Sequence, residues 1–542
     1  MLRWFIVISF ICFSLISKVQ GFVDEKLFNL GVRSGDPSKE GFVLWTRINE
    51  EEIADRNNLP VKVKLQVYED EQCSLLAKEV DLETSEREDF TVKSDVTGLN
   101  PKSIYYYRFK YGADQYSRTG RAKTLPGPDY NGPIRLLVLT CQNKNTGDFN
   151  LYNKLALDAW ADKIDYVYFS GDEVYEYESY DYECGCCCAR RPRAFQLPSE
   201  QPSAINYKDF RAIRHEYLKD KKLQDFYASI PVISIHDDHE IANNWYGNQN
   251  SETKRAVIPG RVYKGMDHEQ IAEDGLRAFE LYTPIRCSEE KVGQTNRKKY
   301  FRSFLFGQTA KFLVTDSRSF RDGPDKDIDD PEKTMLGQEQ LGWFMKELAD
   351  WREYGLTVWG NQTMFERFSR CPVSCGKTRG LLNVDQWDGY QAEQDMIRQA
   401  MLSGPGSQNR MVWLEGDMHT YQQNHTVATS KEGHVLAKAL GLMTPAVTSP
   451  GFKEEIGCCG QSSCVMSLFS KLCLCTNRNI KHFDADIHGY LLVTLNKDHV
   501  DWQVYDVSID WLPEDAMQNL KHKCKGSYRY IKGKVKKLPT TK

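Results

Sequence analysis

The sequence predicts an α/β domain with a layered β-sheet core and flanking helices, preceded by an all-β sandwich domain. Residues 22–128 contain short β-branched or aromatic runs between turn residues, a pattern typical of immunoglobulin or fibronectin sandwiches. From residue 134 onwards, apolar runs alternate with segments of helical periodicity. These later runs are apolar throughout, which indicates strands buried on both faces of a sheet that lies between layers of helices.

The segment boundaries follow changes in composition along the 542 residues. Residues 1–21, in which Arg3 precedes a short apolar run, form a signal-peptide pattern, and a retained signal anchor is the alternative. We therefore expect a protein secreted or held in the lumen of the secretory pathway, with no transmembrane segment after signal removal. We assign residues 22–128 to the β-sandwich, 129–510 to the α/β domain and 511–542 to a basic, exposed tail. The formal net charge of −4 does not favour specific nucleic-acid binding.

The sixteen cysteines support export. Cys12 lies in the predicted signal peptide, and if Cys141 binds a metal ion, an even set of fourteen remains. That set allows up to seven disulfides in an exported protein. The cluster 184–188 could instead bind zinc, but its spacing suits one tetrahedral site poorly and no histidine is near. The fourteen are Cys73, Cys184, Cys186, Cys187, Cys188, Cys287, Cys371, Cys375, Cys458, Cys459, Cys464, Cys473, Cys475 and Cys524.

Polar side chains follow nearly every predicted strand of the α/β domain. In open α/β sheets, ligands bind beyond the carboxyl ends of the strands, so these side chains should meet at one edge. A cluster so rich in carboxylates would repel itself without cations, which predicts a binuclear metal site. The strands are predicted at residues 134–139, 166–169, 231–235, 312–315, 356–358 and 411–414, and helices at 151–163, 210–227, 335–352 and 391–402.

The residues after these strands form two groups of possible ligands. A thiol, a phenol and an imidazole suit a trivalent or soft ion such as iron. Carboxylates suit a hard divalent ion such as calcium or magnesium, and one carboxylate could bridge both ions. Two such ions can activate water and hold the oxygens of a phosphoryl group. The first group is Cys141, Tyr175 and His419, and the bridging residue is Asp172. The second group is Asp238 and Asp417, with the amide oxygen of Asn244 or Asn361 as a further candidate.

Six motifs occur in order along the chain: GVRSGDPSKEGFVLWTRI (31–48), GDEVY (171–175), HDDHEIANNW (236–245), LGQEQLGWF (336–344), GNQTM (360–364) and GDMHTY (416–421). Together they closely resemble the alkaline phosphatase D, or PhoD-like, family over about residues 27–508. The resemblance implies a calcineurin-like metallophosphatase core, similar to that of purple acid phosphatases. It also implies Fe(3+) and Ca(2+), with Mg or Zn as alternatives at the second site, and hydrolysis of phosphomonoesters and phosphodiesters.

The resemblance also implies a role for individual metal ligands. The iron shell corresponds to Cys141, Asp172, Tyr175 and His419. The shell of the second ion corresponds to Asp172, Asp238 and Asp417, with Asp237 as an alternative to Asp238.

Three further residues are predicted to act on the substrate. The resemblance implies that His239, in the segment Asp238-His239-Glu240, donates a proton or contacts the phosphate. Arg318 is expected to hold a phosphate oxygen through its planar fork, and a surface salt bridge is the equal alternative. Asn361 begins a glycosylation sequon but is expected to lie in the cleft, which leaves Asn424 as the expected glycan site.

The predicted function is that of a secreted metal-dependent phosphoesterase, an alkaline phosphatase or phosphodiesterase acting on phosphate ester substrates. One alternative is a phospholipase D-type diesterase that acts on lipid headgroups. Another is a catalytically decayed extracellular recognition protein. The sequence does not specify the natural substrate or the oligomeric state.

Overall fold

The computed structural model describes residues 22–53, 60–178, 195–247, 255–286, 291–292, 297–324, 327–350, 354–369, 383–403, 410–429, 435–452, 454, 463–512 and 520–540. The predicted signal peptide lies outside these residues, as does the cysteine cluster 184–188. Within the described ranges, the helices are all too short or too polar to cross a membrane.

The N-terminal region is all-β, and its two layers enclose one apolar core. One layer has the strand order β1-β8-β7-β4-β5, with β9 paired to β7, and the other consists of β2, β3 and β6. Strand β4 alternates buried and exposed residues, as expected for a strand with one face on the core and one on solvent. The strands are β1 (Phe22–Val23), β2 (Val32–Ser38), β3 (Gly41–Arg47), β4 (Val61–Tyr68), β5 (Leu76–Thr84), β6 (Thr91–Val96), β7 (Ile104–Tyr111), β8 (Gln115–Tyr116) and β9 (Gly120–Lys123).

The following region alternates strands and helices, as the sequence predicts. Its strands are β10 (Ile134–Leu139), β11 (Tyr166–Phe169), β12 (Pro231–Ser234), β13 (Arg302–Phe306), β14 (Ala310–Val314), β15 (Leu356–Gly360), β16 (Met411–Glu415), β17 (Tyr421–Thr429), β18 (Val435–Met443), β19 (Ile480–Asp484), β20 (Gly489–Leu495), β21 (His499–Asp506), β22 (Lys523–Ile531) and β23 (Lys534–Lys537). Its helices are α1 (Leu151–Trp160), α2 (Tyr207–Leu218), α3 (Lys221–Ser229), α4 (His268–Tyr282), α5 (Gln338–Ala349), α6 (Gln391–Ser403) and α7 (Ser463–Thr476).

Two large mixed sheets pack face to face in this region. The first has the order β23-β22-β21-β20-β10-β11-β12-β2-β3-β6, and the second has the order β13-β14-β15-β16-β18-β17-β19. The ring of Tyr168 on β11 packs edge-on against Phe312 on β14, with centroids 5.0 Å apart. The parallel strands β10, β11 and β12 end beside the ends of β15 and β16, where Ser170 Oγ donates to the carbonyl of Asn361 at 2.9 Å. The carboxyl ends of both sheets therefore meet at one edge.

The first sheet continues across the predicted domain boundary at residues 128/129. Strand β2 pairs in parallel with β12, and Val232 is the register partner of Gly35. One layer of the sandwich is thus an extension of the α/β sheet. Arg33 on β2 is buried and donates to Glu173 Oε2 at 3.0 Å, so the N-terminal region also supplies a charge beneath the end of β11.

The basic C-terminal segment differs from the expected exposed tail of residues 511–542. Strands β22 and β23 form a hairpin that adds to the edge of the first sheet. Tyr530 is buried, and Tyr528 stacks on Trp502 with centroids 5.4 Å apart. Alternate aromatic residues therefore hold this strand on the sheet, while the lysines of β23 remain on its outer edge, as is common for edge strands.

The single helix predicted at 210–227 is two helices, α2 and α3. Asp220 lies between them, and its side chain accepts hydrogen bonds from the backbone N–H groups of Lys222 and Leu223. This is the geometry of an N-cap, which stabilises a new helix start. The apolar periodicity continues across the break, so the pattern did not reveal the cap.

The structure also bears on the predicted disulfides and on the predicted glycan site. Cys73, Cys473, Cys475 and Cys524 are free thiols in the described part of the chain. Most of the other cysteines predicted to pair lie outside the described residues. Asn424, the expected glycan site, is fully buried in β17 and its amide donates to Glu415 Oε1 at 2.8 Å, so a glycan there would require unfolding of this strand.

A buried carboxyl in α6 should make stability depend on pH. Glu393 accepts hydrogen bonds from the hydroxyl of Thr334 and the N–H of Leu336, and burial raises its pKa to about 7. Between about pH 4.5 and 7 the folded state therefore binds more protons than the unfolded chain, so stability should fall as pH rises, by roughly 3 kcal/mol in total. We expect Glu393→Gln to remove this loss. Urea unfolding at about pH 5 and about pH 8 would measure it, and the same pH difference in both proteins would contradict the prediction.

Candidate metal centre

The loops that follow β10, β11 and β16 place their polar residues in an unusual backbone conformation. Cys141, Asp172, Asp417 and His419 have φ angles of 55°, 58°, 69° and 50°. Left-handed φ values are uncommon for residues other than glycine and gather at functional sites. Four of the six predicted metal ligands share this conformation, which marks their loops as strongly constrained.

Glu240 and Gly171 hold two of these loops together. The buried carboxylate of Glu240 accepts hydrogen bonds from the N–H groups of Asp172 (3.0 Å), Glu173 (2.6 Å) and Asp237 (2.7 Å). Gly171 has a φ of 102°, and a Cβ at this position would lie 2.4 Å from Cβ of Asp237. The loops after β11 and β12 can therefore approach this closely only with glycine at residue 171.

The thiol, phenol and imidazole predicted as iron ligands meet around one oxygen of Asp172. Its Oδ2 atom lies 3.4 Å from Cys141 Sγ and 3.2 Å from Tyr175 Oη, and Tyr175 Oη lies 3.3 Å from His419 Nε2. The ligand atoms of Cys141, Asp172 and His419 all lie within 4.8 Å of one another. This part of the predicted site is therefore assembled from loops up to 278 residues apart in the chain.

The carboxylates predicted for the second ion also cluster with Asp172. Oxygen atoms of Asp172, Asp237, Asp238 and Asp417 lie within 4.8 Å of one another. Asp172 Oδ1 accepts the backbone N–H of His239 at 3.2 Å, and the residue belongs to both groups of possible ligands. Both Asp237 and Asp238 belong to the cluster, and the geometry does not choose between them as the ligand.

Burial raises the pKa of most acidic groups in this cluster. It raises the pKa of Cys141 and of Asp237 well above their usual ranges, and that of Asp417 to about 6. For Asp172, burial outweighs the favourable charge of His239, and its pKa is also raised. Asp238 differs: burial opposes its ionisation, but Arg318 and His239 hold its pKa below the usual range. A thiolate and carboxylates confined this closely need positive charge, which cations would supply.

His419 is arranged as a metal ligand should be. Its Nδ1 atom lies 2.5 Å from the carbonyl oxygen of Pro450, which can only accept, so Nδ1 carries the proton. Burial lowers the pKa of this imidazole to about 4, so the ring is neutral at ordinary pH. Nε2 is therefore unprotonated, with a lone pair available to a metal ion, and it lies 3.3 Å from Tyr175 Oη. A backbone partner that orients the imidazole in this way is usual for histidine ligands.

One buried oxygen in the second group has no hydrogen-bond donor. Asp237 Oδ1 accepts from Arg318 Nε, but Asp237 Oδ2 has no partner among the described residues. A buried carboxylate oxygen without a partner is costly. The donor set of this cluster thus fits a hard cation.

Arg318 is a buried counter-ion, and the surface salt bridge considered as its alternative is wrong. Its side chain is fully buried. It donates to Asp237 through Nε, to Asp385 Oδ2 at 2.7 Å and to Asp417 Oδ1 at 3.4 Å. All three guanidinium nitrogens are therefore engaged with carboxylates of the site.

Asn361 lies at the same edge, and both ends of its amide are hydrogen-bonded to groups outside the acidic cluster. The amide nitrogen donates to the carbonyl of Thr363, and the amide oxygen accepts from the indole N–H of Trp387 at 3.3 Å. The residue is fully buried, in agreement with the expectation that its sequon is not glycosylated. Its predicted catalytic role stays a prediction.

Asp316, which follows β14, pairs with His236 at 3.1 Å.

Several residues of the site were not singled out from the sequence. Glu176 Oε2 lies 2.7 Å from Nδ1 of His239, and Gln386 donates to Asp417. Asp385 binds both Arg318 and Arg321. Glu176 could have been found from its place beside Tyr175, whereas Asp385 and Gln386 follow no predicted strand and carried no signal.

Two packed mixed sheets, with a cluster of buried side chains that could bind metal ions at their shared edge, define a metallophosphatase-like fold. A purple acid phosphatase from yellow lupin (Lupinus luteus) seeds matches with a TM-score of 0.51 and 11% identity, over 92% of this chain and 74% of that one. The solved structure of PhoD matches with a TM-score of 0.77 and 24% identity, over 95% of this chain and 92% of that one. These likenesses confirm the predicted fold class.

The chain belongs to the PhoD-like phosphatase family. The model of that family matches residues 136–504, and the model of the PhoD-like phosphatase N-terminal domain matches residues 17–126. Alkaline phosphatase D of Bacillus subtilis (strain 168) is 29% identical over 416 residues, which cover 72% of this chain. The match spans 64% of the length of that relative.

Proposed function

We propose that this chain is a secreted enzyme that hydrolyses phosphate monoesters and diesters at a site for two metal ions. The observation that carries the proposal is the position of Asp172, which belongs to two chemically different groups of possible ligands. Its Oδ2 atom lies beside Cys141 and Tyr175, and one of its carboxylate oxygens lies within 4.8 Å of oxygens of Asp237, Asp238 and Asp417. The family relationship and the similarity to alkaline phosphatase D support the same reaction class.

The donor atoms also support a choice of metals. Thiol, phenol and imidazole donors around Asp172 Oδ2 favour Fe(3+), and the carboxylates favour Ca(2+), with Mg or Zn as alternatives. The first ion would be held by Cys141, Asp172, Tyr175 and His419, and the second by Asp172, Asp417 and either Asp237 or Asp238. Together such ions supply an activated water and positive charge for the phosphoryl oxygens.

The protein's own groups would orient the substrate and move one proton. His239 carries a proton, because the charges of Glu176 and Asp238 outweigh burial and raise its pKa well above the usual range. It is placed to protonate the leaving oxygen. Arg318 fixes Asp237, Asp385 and Asp417 relative to one another, and Glu240 fixes the backbone of Asp172. This preorganised, buried arrangement favours the charge that develops in phosphoryl transfer.

The proposal is tested by elemental analysis of the purified protein, paired with assays on a soluble monoester and a soluble diester before and after chelation. We expect about two metal ions per chain, one of them iron, and activity that is lost on chelation and restored by metal. A protein that retains no metal ion and hydrolyses neither ester would overturn the proposal and leave a recognition role. Preference for a lipid ester over both soluble esters would indicate the phospholipase D-type alternative.

The colour of the protein gives a second, independent prediction. A phenolate bound to ferric iron absorbs visible light, so the concentrated protein should be coloured. Tyr175→Phe removes the phenolic oxygen that lies 3.2 Å from Asp172 Oδ2, and we expect it to abolish the visible band. Absorption spectra at equal iron content measure the effect. Tyr168→Phe is a suitable control, because its buried ring packs against Phe312 between the two sheets. A band that persists in Tyr175→Phe would exclude this tyrosine as an iron ligand.

A further inference from the structure

We propose that Glu176 is a positioning residue that sets the orientation and tautomer of His239 for proton transfer to the leaving group. The inference rests on the proposed phosphoesterase function and adds a residue to it. Glu176 is almost fully buried, and both of its carboxylate oxygens are engaged.

The two oxygens of Glu176 join the loops after β11 and β12. Oε2 lies 2.7 Å from Nδ1 of His239, and Oε1 accepts the backbone N–H of Asn243 at 2.8 Å. The backbone carbonyl of Glu176 in turn accepts the N–H of Ala204. The carboxylate is therefore itself held in place, and it can act as a fixed support for the imidazole.

Two tyrosines fix the plane of the same ring. Tyr175 stacks on His239 with centroids 4.1 Å apart and an interplanar angle of 28°. Tyr177 meets it at 61°, with centroids 5.9 Å apart. Stacking leaves the ring free to turn within its own plane. The hydrogen bond to Glu176 removes that freedom, so the three contacts together define one orientation.

The bond to Glu176 also decides which nitrogen faces the acidic cluster. A carboxylate only accepts hydrogen bonds, so Nδ1 of His239 carries a proton directed at Glu176. Nε2 then lies on the opposite edge of the ring. A ring nitrogen of His239 lies within 4.8 Å of oxygens of Asp172 and Asp238, where a substrate would be held.

The proton transfer involves His239, Glu176 and the leaving oxygen of the substrate. As the bond from phosphorus to the leaving oxygen breaks, its electron pair stays on that oxygen. The Nε2–H bond of the imidazolium breaks, and the proton forms the new O–H bond of the alcohol product. His239 becomes a neutral imidazole that keeps its Nδ1 proton on Glu176. A water molecule then gives a proton to Nε2, and the hydroxide that remains is the nucleophile of the next cycle.

The test compares leaving groups, because only a poor leaving group needs the proton. Glu176→Ala, Glu176→Gln and Glu178→Gln as a control are assayed with an aryl and an alkyl phosphate ester. We expect Glu176→Ala to lower kcat about 100-fold or more for the alkyl ester and less than about 10-fold for the aryl ester, with little change in KM or metal content. Glu176→Gln keeps an acceptor for Nδ1–H and should recover part of the loss.

A double variant distinguishes a role of Glu176 in positioning His239 from a general role of Glu176 in stabilising the fold. If Glu176 acts through His239, adding Glu176→Ala to His239→Gln should cost little beyond the single His239 change. Equal losses for both esters, or fully additive losses, would overturn the inference. If Glu176→Ala does not fold, Glu176→Gln and its double variant give the same comparison. Failure of the parent protein to hydrolyse either ester would instead count against the proposed function.

Discussion

Replacing Asp172 with Asn should abolish both metal retention and turnover. The substitution keeps the size of the side chain but removes the negative charge shared by the two ligand groups. Asp172 belongs both to the group with Cys141 and His419 and to the group of four carboxylates, so neither group stays complete. We expect kcat/KM to fall at least about 1,000-fold, or roughly 4 kcal/mol of transition-state stabilisation.

The measurement pairs elemental analysis with kinetics, and the chain offers a matched control. Asp388 is also buried, and burial raises its pKa to about 7, so its neutral form is readily adopted. It accepts the N–H of Phe368 at 3.1 Å, a bond that the amide oxygen of asparagine can keep, and it is outside the candidate metal groups. Asp388→Asn should therefore leave metal content and activity unchanged. Full activity and metal content in Asp172→Asn would remove the basis of the proposed site.

Replacing Arg318 with Met should destabilise the metal-free protein strongly. The guanidinium is fully buried and serves Asp237, Asp385 and Asp417. Removing one partner of a buried ion pair leaves uncompensated charge, which typically costs about 3–5 kcal/mol. We expect a loss of that size in the free energy of unfolding, measured by denaturant titration in the presence of a chelator.

A metal titration then identifies what replaces the lost charge. If the carboxylates bind a divalent cation, adding it should recover part of the stability of Arg318→Met, because a ligand that binds only the folded state stabilises it. Arg367→Met is the control: this side chain is partly exposed and pairs with Asp395 at 2.9 Å, so its loss should cost less than about 1 kcal/mol. A variant of Arg318 as stable as the parent, with weaker phosphate binding, would show that Arg318 serves the substrate instead.

Much of the candidate site could be predicted from the sequence because strand ends carry local information. Strands β10, β11 and β16 are mostly apolar, and each is followed within three residues by a side chain that can bind a metal ion, namely Cys141, Asp172 and Asp417. Parallel pairing brings the ends of β10 and β11 together, and packing of the two sheets brings the end of β16 to the same edge. The ligand group thus followed from burial and polarity along short stretches of the chain.

The other features of the fold and the site depend on contacts between residues far apart in the chain, which local sequence patterns do not predict. Pairing of β2 with β12 joins residues almost 200 positions apart, and the N-terminal segment alone reads as a closed sandwich. The role of Glu176 appears only once the ring of His239 is placed. The lysine-rich composition after residue 521 concealed the alternation of Tyr528 and Tyr530 that attaches β22 to the sheet. In each case long-range packing outweighed local composition.

The shared ladder of backbone hydrogen bonds between β2 and β12 means that the predicted boundary at residues 128/129 does not separate two independently unfolding units. The N-terminal region and the α/β domain should unfold as one cooperative body, since Arg33 on β2 also pairs with Glu173 in the loop after β11. A fragment that begins at residue 129 would carry β12 as an exposed, unpaired sheet edge, which favours pairing with other chains and aggregation.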